Sequence, residues 1–184
     1  IIWESACRKI REWIDKGIEP VPISVNISRE YIHTFDVVGE MLHLVNKYDI
    51  PIKLLELEIT ETTDSEGVSD VVQKMKDAGF TMLMDDFGSG YSSLNMLQKT
   101  QFDVLKIDRG FLSEFMESSR GRKIISHTIS MSRDIGLDII AEGVETPEQA
   151  SFLSDCGYDS AQGFYYSKPI TQEEFDKMLV EVNK

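Results

Sequence analysis

Short apolar runs of strand length alternate with amphipathic stretches of helix length along the whole 184-residue chain. This alternation constrains the fold more than any other feature, because strand, helical crossover and strand in succession build a parallel sheet with helices on its faces. The runs are Pro22 to Ile27, Leu54 to Thr60, Phe80 to Asp86, Phe102 to Asp108, Leu137 to Glu142 and Asp159 to Phe164. Helical patterns fall around Tyr31 to Tyr48, Val68 to Ala78, Ser92 to Leu97, Arg120 to Ile135, Pro147 to Cys156 and Glu173 to Val182. Glu4 to Lys16 is a further helix, with Ile10, Trp13 and Ile14 on one face, and its own strand is expected upstream of residue 1. Boundaries are marked chemically. Thr146-Pro147-Glu148-Gln149 and Thr171 with Glu174 read as capping boxes, and Gly79, Gly136 and Gly157 stand where left-handed C-terminal caps want glycine. No low-complexity or Pro/Ser-rich linker interrupts residues 1–184, so one domain is expected. An eight-stranded barrel takes about 250 residues. The expectation is therefore an α/β fold, a TIM-like (β/α)8 barrel that is N-terminally incomplete, rather than a complete open sheet.

Each apolar run ends in a group able to bind metal or move a proton. The ends carry Asn26, then Glu58 and Glu61, then the paired Asp85 and Asp86, then Lys106 and Asp108, then Glu142 with Glu145 beyond it, then Gln162. In a parallel barrel these ends converge on the C-terminal face, where such enzymes keep their active sites. A single acid after a strand is ordinarily a helix N-cap or a solvated loop residue, and Asp108 and Glu61 each have such a local reading. Six consecutive strand ends of this kind are poorly explained that way. Two unit charges about 4 Å apart repel by roughly 4 kcal/mol at an effective dielectric near 20. One lysine does not neutralise Glu58, Asp85, Asp86 and Glu142 together. Oxygen-only donors without Cys or His point to Mg²⁺ or Mn²⁺, and paired aspartates suit two metals flanking a phosphodiester.

Charge limits the partners. With 19 Lys and Arg against 32 Asp and Glu, the net charge of −13 excludes a nucleic-acid polymer held through a basic surface. It does not exclude an anionic nucleotide bridged by metal. Cys7 and Cys156 form no metal-spacing motif and read as buried free thiols in a reducing cytoplasm. The loop from Asp86 to Leu94 has two glycines and several serines, which suits either a phosphate cradle or a plain turn. His33, His43 and His127 fall inside expected helices and suggest no triad.

These residues sit in segments that resemble the EAL family of cyclic di-GMP phosphodiesterases. The segments are SVNIS at Ser24 to Ser28, LELEITET at Leu55 to Thr62, MDDFGSGYSSL at Met84 to Leu94, LKID at Leu105 to Asp108, AEGVET at Ala141 to Thr146 and QGFYYSKPI at Gln162 to Ile170. The resemblance implies an EAL-type barrel and assigns roles. Asn26, Glu58 and Asp85 match ligands of one metal, and Asp86 matches a ligand of a second. Lys106 matches the lysine that orients the attacking water, Glu142 a second acid beside it, and Glu145 and Gln162 supporting positions. Glu61 matches the glutamate that holds the glycine-rich loop, and that loop with its following helix matches a homodimer contact. The implied reaction converts cyclic di-GMP to linear pGpG with Mg²⁺ or Mn²⁺, two per site, and is inhibited by Ca²⁺. The Glu-Ala-Leu segment itself is absent, so the domain is expected to lack its first strand and the helix after it.

Starting at Ile1, the chain is either an excerpt or a natural short form of a cytoplasmic EAL domain, and as an excerpt its parent would be expected to add a GGDEF or sensory domain or a membrane anchor. Without the missing ligand, weak or no hydrolysis is expected of the short chain alone. The alternative is a catalytically inactive EAL-like module that binds cyclic di-GMP or a protein partner for regulation. A third reading, from the residues alone, is a Mg²⁺-assisted enolising barrel with Lys106 as base.

Overall fold

The structure is a computed structural model that describes residues 2–34, 36–60, 67–90 and 93–182. Six parallel strands lie side by side in chain order. They are β1 (Ile23–Asn26), β2 (Leu55–Thr60), β3 (Thr81–Phe87), β4 (Val104–Ile107), β5 (Asp138–Ala141) and β6 (Ser160–Ala161). Helices alternate with them: α1 (Ile2–Asp15), α2 (Arg29–Thr34), α3 (Val37–Tyr48), α4 (Val68–Asp77), α5 (Ser93–Lys99), α6 (Arg109–Met116), α7 (Ser119–Asp134), α8 (Pro147–Cys156) and α9 (Gln172–Val182). The sheet is an open, curled partial barrel of the distorted (β/α)8 type, as the alternation predicts. Among the described residues β1 and β6 are its edges.

Register explains the two faces. Paired residues of parallel strands project the same way and alternate along each strand. Val25, Leu55, Leu57, Ile59, Met82, Met84, Leu105, Ile107, Ile139 and Ala141 form one face, all buried beneath the helices. The other face carries Ser24, Asn26, Glu56, Glu58, Asp85, Lys106 and Asp138, so it is strongly polar. Because every strand runs the same way, its last polar residues meet at one end. Packing beneath the helices divides into a larger apolar cluster around β1 to β3 and a smaller one joining Ile107 and Ile139 to α6, α7 and α8.

Several local features follow the sequence. Thr146 accepts from the Gln149 N–H while the Gln149 side chain returns to the Thr146 N–H, completing the capping box of α8. Thr171 and Glu174 exchange the same pair of bonds before α9. Gly79, Gly136 and Gly157 have φ of 100°, 82° and 79°, as left-handed caps require.

Two expectations are corrected. The single helix expected from Tyr31 to Tyr48 is two, because Asp36 caps α3 by accepting from the Gly39 N–H at 3.0 Å. The stretch before Arg120 also contains α6, eight residues long, whose Leu112 and Met116 are buried one turn apart. Ser118 separates it from α7 by capping the latter at the Gly121 N–H.

Helix α9 is tied back to the start of the chain. Asp176 accepts from Lys9 at 2.5 Å and from the Trp13 indole at 2.8 Å, while Phe175 lies 5.9 Å from the Trp13 ring. Both cysteines are free, but only Cys7 is buried; Cys156 is half-buried, because it lies at the outer end of α8. Burial pushes the Cys7 thiol up to about 11. A thiol reagent at neutral pH should therefore label Cys156 on the native chain and reach Cys7 only after unfolding, which mass spectrometry of labelled peptides will read. Among the described residues no helix is long and apolar enough to cross a membrane.

Candidate metal-binding active site

The C-terminal ends of β2 to β5 place one ammonium among several carboxylates. Lys106 Nζ lies 2.9 Å from Glu58 Oε1, 2.9 Å from Asp85 Oδ1 and 2.8 Å from Glu142 Oε1. All four side chains are largely withdrawn from solvent, with 7% to 17% of each exposed. Burial pulls the Lys106 ammonium down, but its bonds to Glu142, Glu58 and Asp85 outweigh that and hold its pKa above the ordinary lysine value. Lys106 is therefore a fixed cation at neutral pH.

The paired aspartates need special backbone. Simple alternation would send Asp85 and Asp86 to opposite faces of the sheet. Between Leu83–Met84 and Phe87, however, the β3–β4 register shifts, so Asp85 and Asp86 together oppose Lys106. Asp86 takes a left-handed φ of 57°, uncommon for a residue with a side chain, and its N–H donates to Asp85 Oδ1 at 3.0 Å. The bulge turns both aspartates toward one pocket. One oxygen each from Asp85, Asp86 and Glu142 then lies within 4.8 Å of the others. Burial raises the Asp86 pKa, and the neighbouring Asp85 and Asp108 raise it further. Burial likewise raises Glu142, against the lowering effect of Lys106.

The remaining strand-end residues fall into place with different partners. Asn26 pairs in register with Glu58 at the end of β1. Gln162, just past β6, donates to Glu142 Oε1. Glu145 does not join the carboxylate cluster; it forms an ion pair with Arg109 at 2.7 Å. Glu61 lies outside the described residues, as does Ser92 of the glycine-rich loop. Asp108 keeps its local role, capping α6 through the Gly110 N–H at 2.8 Å and the Phe111 N–H at 3.1 Å. Asp108→Ala should cost about 1 kcal/mol, measurable by thermal unfolding. In the glycine-rich loop, Gly88 has φ 96°, and a Cβ there would lie 2.4 Å from the Phe111 ring, so close packing and turning account for that glycine. Half-buried Glu56, missed from the sequence, sits two residues before Glu58 on the same face.

Four carboxylates facing one ammonium leave an excess of negative charge in a largely buried site. The donors are all oxygen, which fits a hard dication such as Mg²⁺ or Mn²⁺ and does not fit a thiolate or imidazole centre. Beside the cluster opens a cleft of about 490 Å³ reached by Glu142, Gln162, Arg109, Phe164 and Lys168.

Comparison with known proteins gives this arrangement a family. The model of the EAL domain matches residues 1–169. The chain belongs to the EAL domain family. This EAL domain is 33% identical over 183 residues to the signaling protein YkoW of Bacillus subtilis, covering 98% of the chain and 23% of YkoW. It is 34% identical over 176 residues to MucR of Pseudomonas aeruginosa, named a bifunctional diguanylate cyclase/cyclic di-GMP phosphodiesterase, covering 94% of the chain and 26% of MucR. The chain thus spans about a quarter of the length of these curated relatives. Among solved structures, the EAL domain of Mycobacterium smegmatis DcpA superposes with a TM-score of 0.90 at 31% identity, over 97% of this chain and 82% of that one. The PaMucR phosphodiesterase in its cyclic di-GMP complex gives 0.86 at 34% identity, over 95% and 72%.

Proposed function

We propose that this EAL domain is a metal-dependent phosphodiesterase that opens cyclic di-GMP to linear pGpG. The observation that carries the reading is the buried cluster in which Lys106 meets Glu58, Asp85 and Glu142 while Asp85, Asp86 and Glu142 converge within 4.8 Å. Membership of a family whose relatives include a protein named a cyclic di-GMP phosphodiesterase supplies the substrate class. In this proposal Asn26, Glu58, Asp85 and Asp86 hold Mg²⁺ or Mn²⁺, two per site. A bound dication supplies an acidified water and charge neutralisation at the phosphoryl oxygens. Lys106 orients the attacking water and stabilises developing negative charge from a fixed position. Glu142 accepts hydrogen bonds from Lys106 and Gln162, so its carboxylate is aimed before substrate arrives. Glu145 supports the loop that carries Glu142.

The Glu-Ala-Leu strand of the family belongs, in this reading, at the open side of the sheet between β1 and β6. The same resemblance proposes a cytoplasmic homodimer working beside a GGDEF or sensory domain, with exposed Leu94 on α5 and Ile124 on α7 as apolar contact surface. A catalytically silent, nucleotide-binding role is the second reading; the retained Glu58, Asp85, Asp86 and Lys106 favour hydrolysis over it.

Mn²⁺ titration followed by electron paramagnetic resonance tests the metal assignment. The expected result is saturable binding that Asp85→Asn and Asp86→Asn weaken strongly and that Mg²⁺ displaces. Equal binding by wild type and both variants would refute the ligand set.

A further inference from the structure

Arg109 lies outside every segment that carries the family resemblance, yet it touches the loop that carries Glu142 at two points. Its position is fixed first. Asp108 caps α6, so Arg109 opens the helix immediately after the strand that delivers Lys106. From there its guanidinium Nη2 reaches Glu145 Oε1 at 2.7 Å. Its aliphatic stem lies against Gly143, where an added Cβ would sit 2.2 Å from Arg109 Cγ. Gly143 has φ 66°, a left-handed bend that lets the chain pass beneath the stem.

The rest of the Glu142–Thr146 loop is held by its own neighbours. The Glu142 N–H donates to Ile107 O at 3.0 Å and the Val144 N–H to Gln162 O at 3.1 Å. The Glu145 and Thr146 N–H groups both donate to Gln149 Oε1, at 2.7 and 3.0 Å. These contacts fix the base of the loop to the end of β4 and its outer part toward β6 and α8. On the side of α6, Arg109 supplies both the ion pair and the packing at Gly143.

We infer that Arg109 is a positioning residue, clamping the Glu142–Glu145 loop so that the Glu142 carboxylate stays aimed at Lys106 and Gln162. The inference rests on the hydrolase reading for its kinetic consequence, but not for its structural one. The ion pair is substantially exposed, 63% on Arg109 and 39% on Glu145, and pairs of that kind contribute little to global stability. A purely stabilising role would thus leave little trace, whereas a displacement of Glu142 by a fraction of its hydrogen-bond length would disturb the reacting geometry.

The test compares wild type, Arg109→Ala, Arg109→Lys and the charge swap Arg109→Glu with Glu145→Arg. Amide hydrogen exchange over residues 142–146 is measured without nucleotide, so it is independent of turnover. Arg109→Ala should speed exchange there by about tenfold while the melting temperature stays near that of wild type, and Arg109→Lys and the swap should restore part of the protection. With cyclic di-GMP, kcat should fall by about 10-fold to 100-fold, the range found for groups that support metal-site residues, with KM little changed. Unchanged loop exchange, or a loosened loop with unchanged kcat in an active chain, would overturn the inference. A wild type without turnover would count against the hydrolase reading alone, and the exchange result would still decide the role of Arg109.

Discussion

Lys106→Met should abolish turnover and also produce the largest loss of stability of any single change in the site. The lysine meets three carboxylates at 2.8 to 2.9 Å in a largely buried setting. Methionine fills similar volume but leaves Glu58, Asp85 and Glu142 without a counter-charge. Removing one partner of a buried ionic group typically costs about 3–5 kcal/mol, because the charges left behind remain desolvated. In a chain of this size each kcal/mol moves the melting temperature by about 2–4 °C. Added Mg²⁺ should recover much of that loss, since a dication takes over the neutralising role. Acidification should recover part as well. The sign follows from Glu142: burial already holds its folded-state pKa above the unfolded one against the lowering effect of Lys106, and removing the lysine widens that interval. Stability is then lost as pH climbs through that interval and regained as pH falls. Differential scanning fluorimetry with and without Mg²⁺, at neutral and mildly acidic pH, reads all three effects. A variant as stable as wild type without metal would show that the cluster is not under electrostatic load.

Asp85→Asn should separate activity from stability in the opposite way. Lys106 holds three carboxylates and Asp86 stands beside them as a fourth acid, so removing Asp85 relieves repulsion while Lys106 keeps Glu58 and Glu142. Asp86 loses one of the charges that now raise its pKa. The metal-free chain should therefore melt at or above the wild-type temperature. Turnover should fall by at least about 100-fold, the scale on which single electrostatic groups act in such sites. The left-handed Asp86 and the crowded acids are locally unfavourable features of the kind that gather at functional sites. A destabilised Asp85→Asn variant would instead mean that Asp85 serves mainly to anchor Lys106.

Much of this was legible in the sequence because it rests on local pattern. All six strands appear where short apolar runs end in polar residues, and the caps at Thr146 and Thr171 form as their spacing requires. The convergence of Glu58, Asp85, Lys106 and Glu142 follows from parallel topology once the strands are placed. What escaped depends on geometry that spacing does not encode. The break at Asp36 turns on a side chain folding back onto the Gly39 N–H. Helix α6 is short and begins beside a glycine, which weakens its periodic signal. The turning of Asp86 needs a β-bulge, invisible in a run that reads as plain strand. The partnership of Arg109 with Glu145 joins the start of α6 to the loop after β5 and has no sequence spacing to announce it.

The most direct measurement is to incubate the 184-residue chain with cyclic di-GMP and Mn²⁺ and to follow the nucleotide by chromatography. The expected result is weak or no conversion by this chain alone and linear pGpG once the family's Glu-Ala-Leu strand is supplied at its N-terminus, formed with Mn²⁺ or Mg²⁺, stopped by chelation or Ca²⁺, and lost in Asp85→Asn and Lys106→Met. Intact cyclic di-GMP after prolonged incubation, both with this chain and with a version extended by the family's Glu-Ala-Leu strand, would contradict it.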